Sequence, residues 1–112
     1  MTTQLAVFIC CSYNKSLCIA FDAAKSVTNE LKHGVRLSLA AQIDWSAVWS
    51  EPDVRRDYGE LREVGFAPIA GRLYCVVFTQ RGDVIRVISL RKANYRENIR
   101  YEQATETDSP YT

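Results

Sequence analysis

The sequence predicts an α+β domain: an antiparallel sheet of about four to five strands with helices packed on one face. Three observations carry this. One segment is framed by a helix N-cap and a terminating glycine, two β-branched runs are joined by a short polar turn, and a later segment returns to helical spacing.

Leu17 to Phe21 reads as a short strand. Asp22 then offers a carboxylate to the free N–H groups of a first helical turn, and Gly34 can take the left-handed conformation that ends a helix at His33. On that helix Ala24, Val27 and Leu31 fall on one side and are expected to pack, while Lys25, Asn29, Lys32 and His33 fall on the other and are expected to stay available. Val35 to Ile43 carries Leu37, Ala40 and Ala41 at helical spacing and is expected to form a second, short helix. Ala47 to Ser50 is a candidate strand, Pro52 to Gly59 a polar loop, and Glu60 to Phe66 a further strand. Leu73 to Thr79 and Val84 to Leu90, joined by Gln80-Arg81-Gly82-Asp83, form the clearest unit, a β-hairpin. From Arg91 or Lys92 to about Gln103 the chain turns helical, with Tyr95 and Ile99 as packing contacts and Lys92, Arg96 and Arg100 as a basic stripe. The domain is expected over residues 16–103. Residues 1–15 form an extension with no element assigned, and residues 104–112 an acidic tail expected to be disordered.

A length of 112 residues leaves room for one core, and 47% apolar with 24% charged residues excludes wholesale disorder. The net charge of +1 is uneven, because residues 72–100 hold seven Arg or Lys against Asp83 and Glu97, a local +5. Residues 44–63 hold six acids against three Arg, and three more acids follow Tyr101. Cys10, Cys11, Cys18 and Cys75 contain no C-x-x-C pair, which fits a reduced, intracellular protein. The apolar run from Leu5 to Cys11 is too short to span a bilayer and lacks a positive residue ahead of it, so a cytoplasmic location without membrane contact is expected. One histidine and no paired acids at ligand spacing give no metal site, and no cofactor is expected.

Several ordered motifs resemble one family. They are Phe21-Asp22-x-x-Lys25-x-x-x-Asn29-x-x-Lys32-His33-Gly34-Val35, Asp57-Tyr58-Gly59-Glu60-x-Arg62, Gly71-Arg72-Leu73, Val77-Phe78-Thr79-x-Arg81-Gly82, Ile85 to Ala93, Arg96-Glu97 and Tyr101-Glu102. Together, over about residues 17–102, they are similar to the BrnT toxins of type II toxin–antitoxin systems. The resemblance implies a RelE-like fold and a ribonuclease that arrests growth by cutting RNA. It also implies neutralisation by a BrnA-type ribbon-helix-helix antitoxin, with operator DNA touched only through that partner.

Metal-free RNA cleavage needs one proton removed from the ribose 2′-OH, another supplied to the leaving oxygen, and charge stabilised on phosphorus. Arginine suits the last task because its planar fork donates two parallel hydrogen bonds to phosphate. Strand alternation sends Arg86 to one face, and Ile85, Val87 and Ser89 to the other. Arg86 and Arg62 are candidate phosphate ligands, with a salt bridge to an acid such as Glu60 or Glu63 as the alternative for each. Glu60 is a candidate base or an orienting group for the arginines. His33 is a candidate proton carrier, or simply complements the helix C-terminus. Lys25, Arg81, Arg91, Lys92 and Arg96 are candidates for holding the RNA backbone, or else a solvated face or a seat for an acidic antitoxin segment. The competing class is a RelE-like module that binds protein or nucleic acid without catalysis.

Overall fold

The computed structural model describes residues 6–106 except 56 and 58. Among them, six strands form one sheet: β1 (Ala6–Cys10), β2 (Cys18–Asp22), β3 (Trp49–Pro52), β4 (Glu63–Ile69), β5 (Arg72–Arg81) and β6 (Val84–Lys92). The spatial order is β1-β2-β6-β5-β4-β3. Helix α1 (Ala23–His33) follows β2, helix α2 (Tyr95–Glu106) follows β6, and two 3-10 helices span Leu37–Gln42 and Trp45–Ala47. None of these helices is long and apolar enough to cross a membrane.

The α+β class holds, with two corrections to the sheet. It has six strands rather than four or five, and it is mixed, because β2 runs parallel to β6 while every other pair is antiparallel. The parallel pair arises because β2 leads directly into α1, and a long crossover through the 3-10 segment and β3 to β5 returns β6 beside it. The added edge strand is β1, drawn from the segment to which no element was assigned. Helix α2 continues to Glu106, past the expected end, and the tail expected to be disordered otherwise lies outside the described residues.

One sheet face holds the main core. Ile19, Phe21, Val76, Phe78, Ile85, Val87 and Leu90 pack there against Leu37, Ala40 and Ile43. The last three are fully buried and three residues apart, a period that suits a 3-10 helix better than the α-helix expected over Val35 to Ile43. Burying side chains of the Leu and Ile kind contributes about 1.5–3 kcal/mol each. The second face is not fully open. At one end Phe66, Leu73 and Cys75 pack with Trp49 and with Tyr101 of α2, so that helix lies over part of the sheet.

Helix α1 has the expected caps: the Asp22 carboxylate accepts from the Lys25 N–H at 3.0 Å, and Gly34 is left-handed at φ 71°. Lys25, Lys32 and His33 are exposed as expected, but the packed side of the helix is not the apolar one. Val27 and Leu31 are 62% and 84% exposed, whereas Asn29 is buried. The Asn29 Nδ2 group donates to the Val35 carbonyl at 2.8 Å and the Leu90 carbonyl at 2.7 Å, and its Oδ1 accepts from the Leu90 N–H at 3.2 Å. Strand β2 pairs with β6 only through Val84 to Arg86, so Leu90 has no strand partner on that side and the carboxamide completes the ladder. Hydrogen-bonding capacity, rather than apolar surface, sets which face of α1 docks.

Strand β6 is irregular. Val77 pairs with Ser89 and Phe78 with Val87, which leaves Ile88 as an extra, bulged residue. Past it the alternation is reset. Leu90 points into the main core, and Ser89 and Arg91 join Arg86 on the second face.

Candidate active site

The second sheet face carries a cavity at each end. Across the first, the register sets Phe8, Ala20, Arg86 and Thr79 side by side on β1, β2, β6 and β5. These four, with Arg81, Val84 and Glu60, line a cavity of about 360 Å³. Arg86 is exposed and, among the described residues, makes no ion pair. Glu60 is held at the wall by Arg62, whose Nε donates to Oε1 at 3.1 Å. Both members of that pair are about three-quarters covered, and Arg62 does not itself line the cavity.

The other end is a cavity of about 530 Å³ between the sheet, the loop after β3 and the start of α2. Here each guanidinium already has a carboxylate. Arg91 donates to both oxygens of Glu97, at 2.7 and 2.8 Å. Arg55 grips both oxygens of Asp53 at 2.8 Å, and the Asp53 side chain is only 1% exposed. Arg100 reaches Glu51 at 3.2 Å while lying over the Trp49 ring. Asn94 and Glu97 form a reciprocal cap on α2: each side chain accepts from the other residue's N–H, at 2.9 Å. The Arg91 hydrogen bonds hold the Glu97 carboxyl below the usual glutamate range, and the same bonds hold the Arg91 guanidinium above its own ordinary value. Burial pushes the Cys75 thiol up, against a smaller opposing effect of Arg91, so it stays protonated at neutral pH.

The candidate residues therefore divide. Glu60, Arg86 and Arg81 share the first cavity, with Arg62 attached through Glu60. His33 and Arg91 line the second. Lys25 and Arg96 are exposed on α1 and α2. Lys92 ends β6 beside Tyr74, so it is not part of a helical stripe with Arg96 and Arg100. Tyr95 is 79% exposed and does not serve as a packing contact. Of the paired readings, the salt bridge to Glu60 is made by Arg62, and Arg86 is left for other work. Sequence reasoning missed Phe8, Ser89 and the Arg55–Asp53 pair. The apolar spacing of Ile85, Val87, Ile88 and Leu90 signals the bulge that places Ser89; nothing in the sequence marks the other two.

Fold and site together define a small α+β protein that presents, at the uncovered end of one sheet face, the guanidiniums of Arg81 and Arg86 in one cavity with the Glu60 carboxylate. The model of the family described as the ribonuclease toxin BrnT of type II toxin–antitoxin systems matches residues 21–97, well over half the chain, and the chain belongs to that family. No match was found among curated proteins. Family membership implies an RNA substrate and a protein antitoxin.

Proposed function

We propose that the protein is a RelE-like endoribonuclease that cuts RNA without a metal ion, through attack of a ribose 2′-OH on the adjacent phosphorus. The observation that carries this reading is Arg86, unpaired on the open face in one cavity with Glu60. Arg86 grips the non-bridging phosphate oxygens and opposes the charge that builds as the oxygen attacks. Glu60 takes the 2′ proton, and Arg62 fixes its carboxylate at the cavity wall. The P–O5′ bond breaks, the leaving oxygen takes a proton from water, and a 2′,3′-cyclic phosphate remains. In this reading His33, which lines the other cavity, takes no part in the chemistry, and Arg81 extends the grip on the RNA backbone.

Control in this reading comes from a BrnA-type ribbon-helix-helix antitoxin, through which alone the toxin meets operator DNA, and the protein acts in the cytoplasm. Purified protein should cut RNA in EDTA. Arg86→Ala should lower the cleavage rate by about 10²–10³-fold while thermal stability moves by less than about 1 kcal/mol. Cleavage retained by that variant would remove Arg86 from the site.

A further inference from the structure

We propose that Phe8 is a stacking platform for a nucleobase of the RNA strand whose phosphate Arg86 holds, an inference that rests on the ribonuclease reading. Strand β1 lies outside the family-matched segment, which starts at residue 21. This wall of the cavity is therefore outside what the family match covers.

The sequence of β1 separates two tasks. Val7 and Ile9 turn inward and pack against the main core, and this is what anchors the strand. Phe8 points the opposite way and is 62% exposed, so the fold makes little use of its ring. The register places it directly opposite Ala20, and Ala20 directly beside Arg86. Alanine is the smallest side chain a strand offers short of glycine, so the row dips between a ring on one side and a guanidinium on the other. Two strand spacings, roughly 10 Å at the backbone, separate Phe8 from Arg86, and both line the same cavity.

That pairing of groups suits one nucleotide unit of a single strand. A guanidinium takes the phosphate and an exposed aromatic face takes the base, which RNA offers only where it is unpaired. Every base has a π-face, so such a platform strengthens binding with little choice among bases.

The test uses the full chain and a single-stranded oligonucleotide methylated at every 2′ oxygen, which cannot be cut. Affinity is measured for the wild type and for Phe8→Ala, Phe8→Leu and Phe8→Trp, alongside a set of the same oligonucleotide with one base removed at successive positions. Phe8→Ala and Phe8→Leu should each weaken binding by roughly tenfold, and Phe8→Trp should hold it. At one position, removing the base should erase the difference between wild type and Phe8→Ala. Equal affinity for wild type and Phe8→Ala overturns the proposal, as does retention by Phe8→Leu, a loss that persists at every base-free position, or a loss seen only toward a purified antitoxin. Cleavage of ordinary RNA by the wild type, run in parallel, separates the two readings. A wild type that cuts while Phe8→Ala binds normally sinks this inference alone, and a wild type that neither cuts nor binds sinks both.

Discussion

Arg86 and Arg91 stand on the same strand and the same sheet face, yet they live in opposite electrostatic settings. Arg91 spends both arms of its fork on Glu97, and its neighbours Arg55 and Arg100 are likewise matched to Asp53 and Glu51. At the other end Glu60 is matched to Arg62, and Arg86 has no acid of its own among the described residues. One end uses arginine to fasten a helix to the sheet and to brace a loop within itself. The other leaves an arginine exposed where an incoming anion can reach it. A count of basic residues over 72–100 cannot separate these roles, because paired and unpaired guanidiniums contribute the same +1.

The sharpest way to break this contrast is to truncate each arginine in turn. Against the large loss expected for Arg86→Ala, Arg91→Ala should leave RNA cleavage within about threefold of wild type; comparable losses from both variants would show the paired end to be part of the reaction. In thermal denaturation the order should invert. Arg91→Ala should cost about 1–2 kcal/mol, because it strands the mostly covered Glu97, with the partial exposure of Arg91 keeping the figure modest.

Acidification sharpens the same point. The Glu97 carboxyl is depressed in the folded protein, so its contribution is complete above the ordinary glutamate value of about 4.3 and is lost as pH falls through the lower folded value. The protection of the α2 amides, measured against the intrinsic exchange rate at each pH, should therefore fall on acidification below about pH 4, and in Glu97→Gln much of that fall should be absent. The smallest effect belongs to the exposed Arg100–Glu51 pair, where Arg100→Gln should shift stability by less than about 1 kcal/mol.

Local chemistry was legible in the sequence wherever one residue type answers one geometric need. Asp22 and Gly34 bound α1 as expected, and the β5–β6 hairpin turns at Gly82-Asp83, with Gly82 at a φ of 57°. What escaped depends on partners distant in sequence. Apolar periodicity assigned Val27 and Leu31 to the packed face of α1, but the groups that needed satisfying belonged to Leu90, sixty-one residues from Asn29. The parallel β2–β6 contact is equally non-local, and β1 is a five-residue strand joined to β2 by a turn from Asn14 to Leu17 that carries no glycine to mark it. At the candidate site, the place of Arg86 on the second face was legible from strand alternation, whereas Glu60 lies in the loop before β4 and not in the strand expected from it. That Arg62 and not Arg86 holds Glu60 was not legible, since only three-dimensional placement decides which of two arginines reaches a carboxylate first.

The bulge at Ile88 is what lets both halves of β6 keep their faces. Val87 and Leu90 both point into the main core although they are three residues apart, and unbroken alternation would swing Leu90 out into water and carry the Arg91 charge toward hydrocarbon. Excising Ile88 would heal the strand with every downstream face kept, whereas a change that forces Ile88 into the ladder is the lesion this strand cannot absorb.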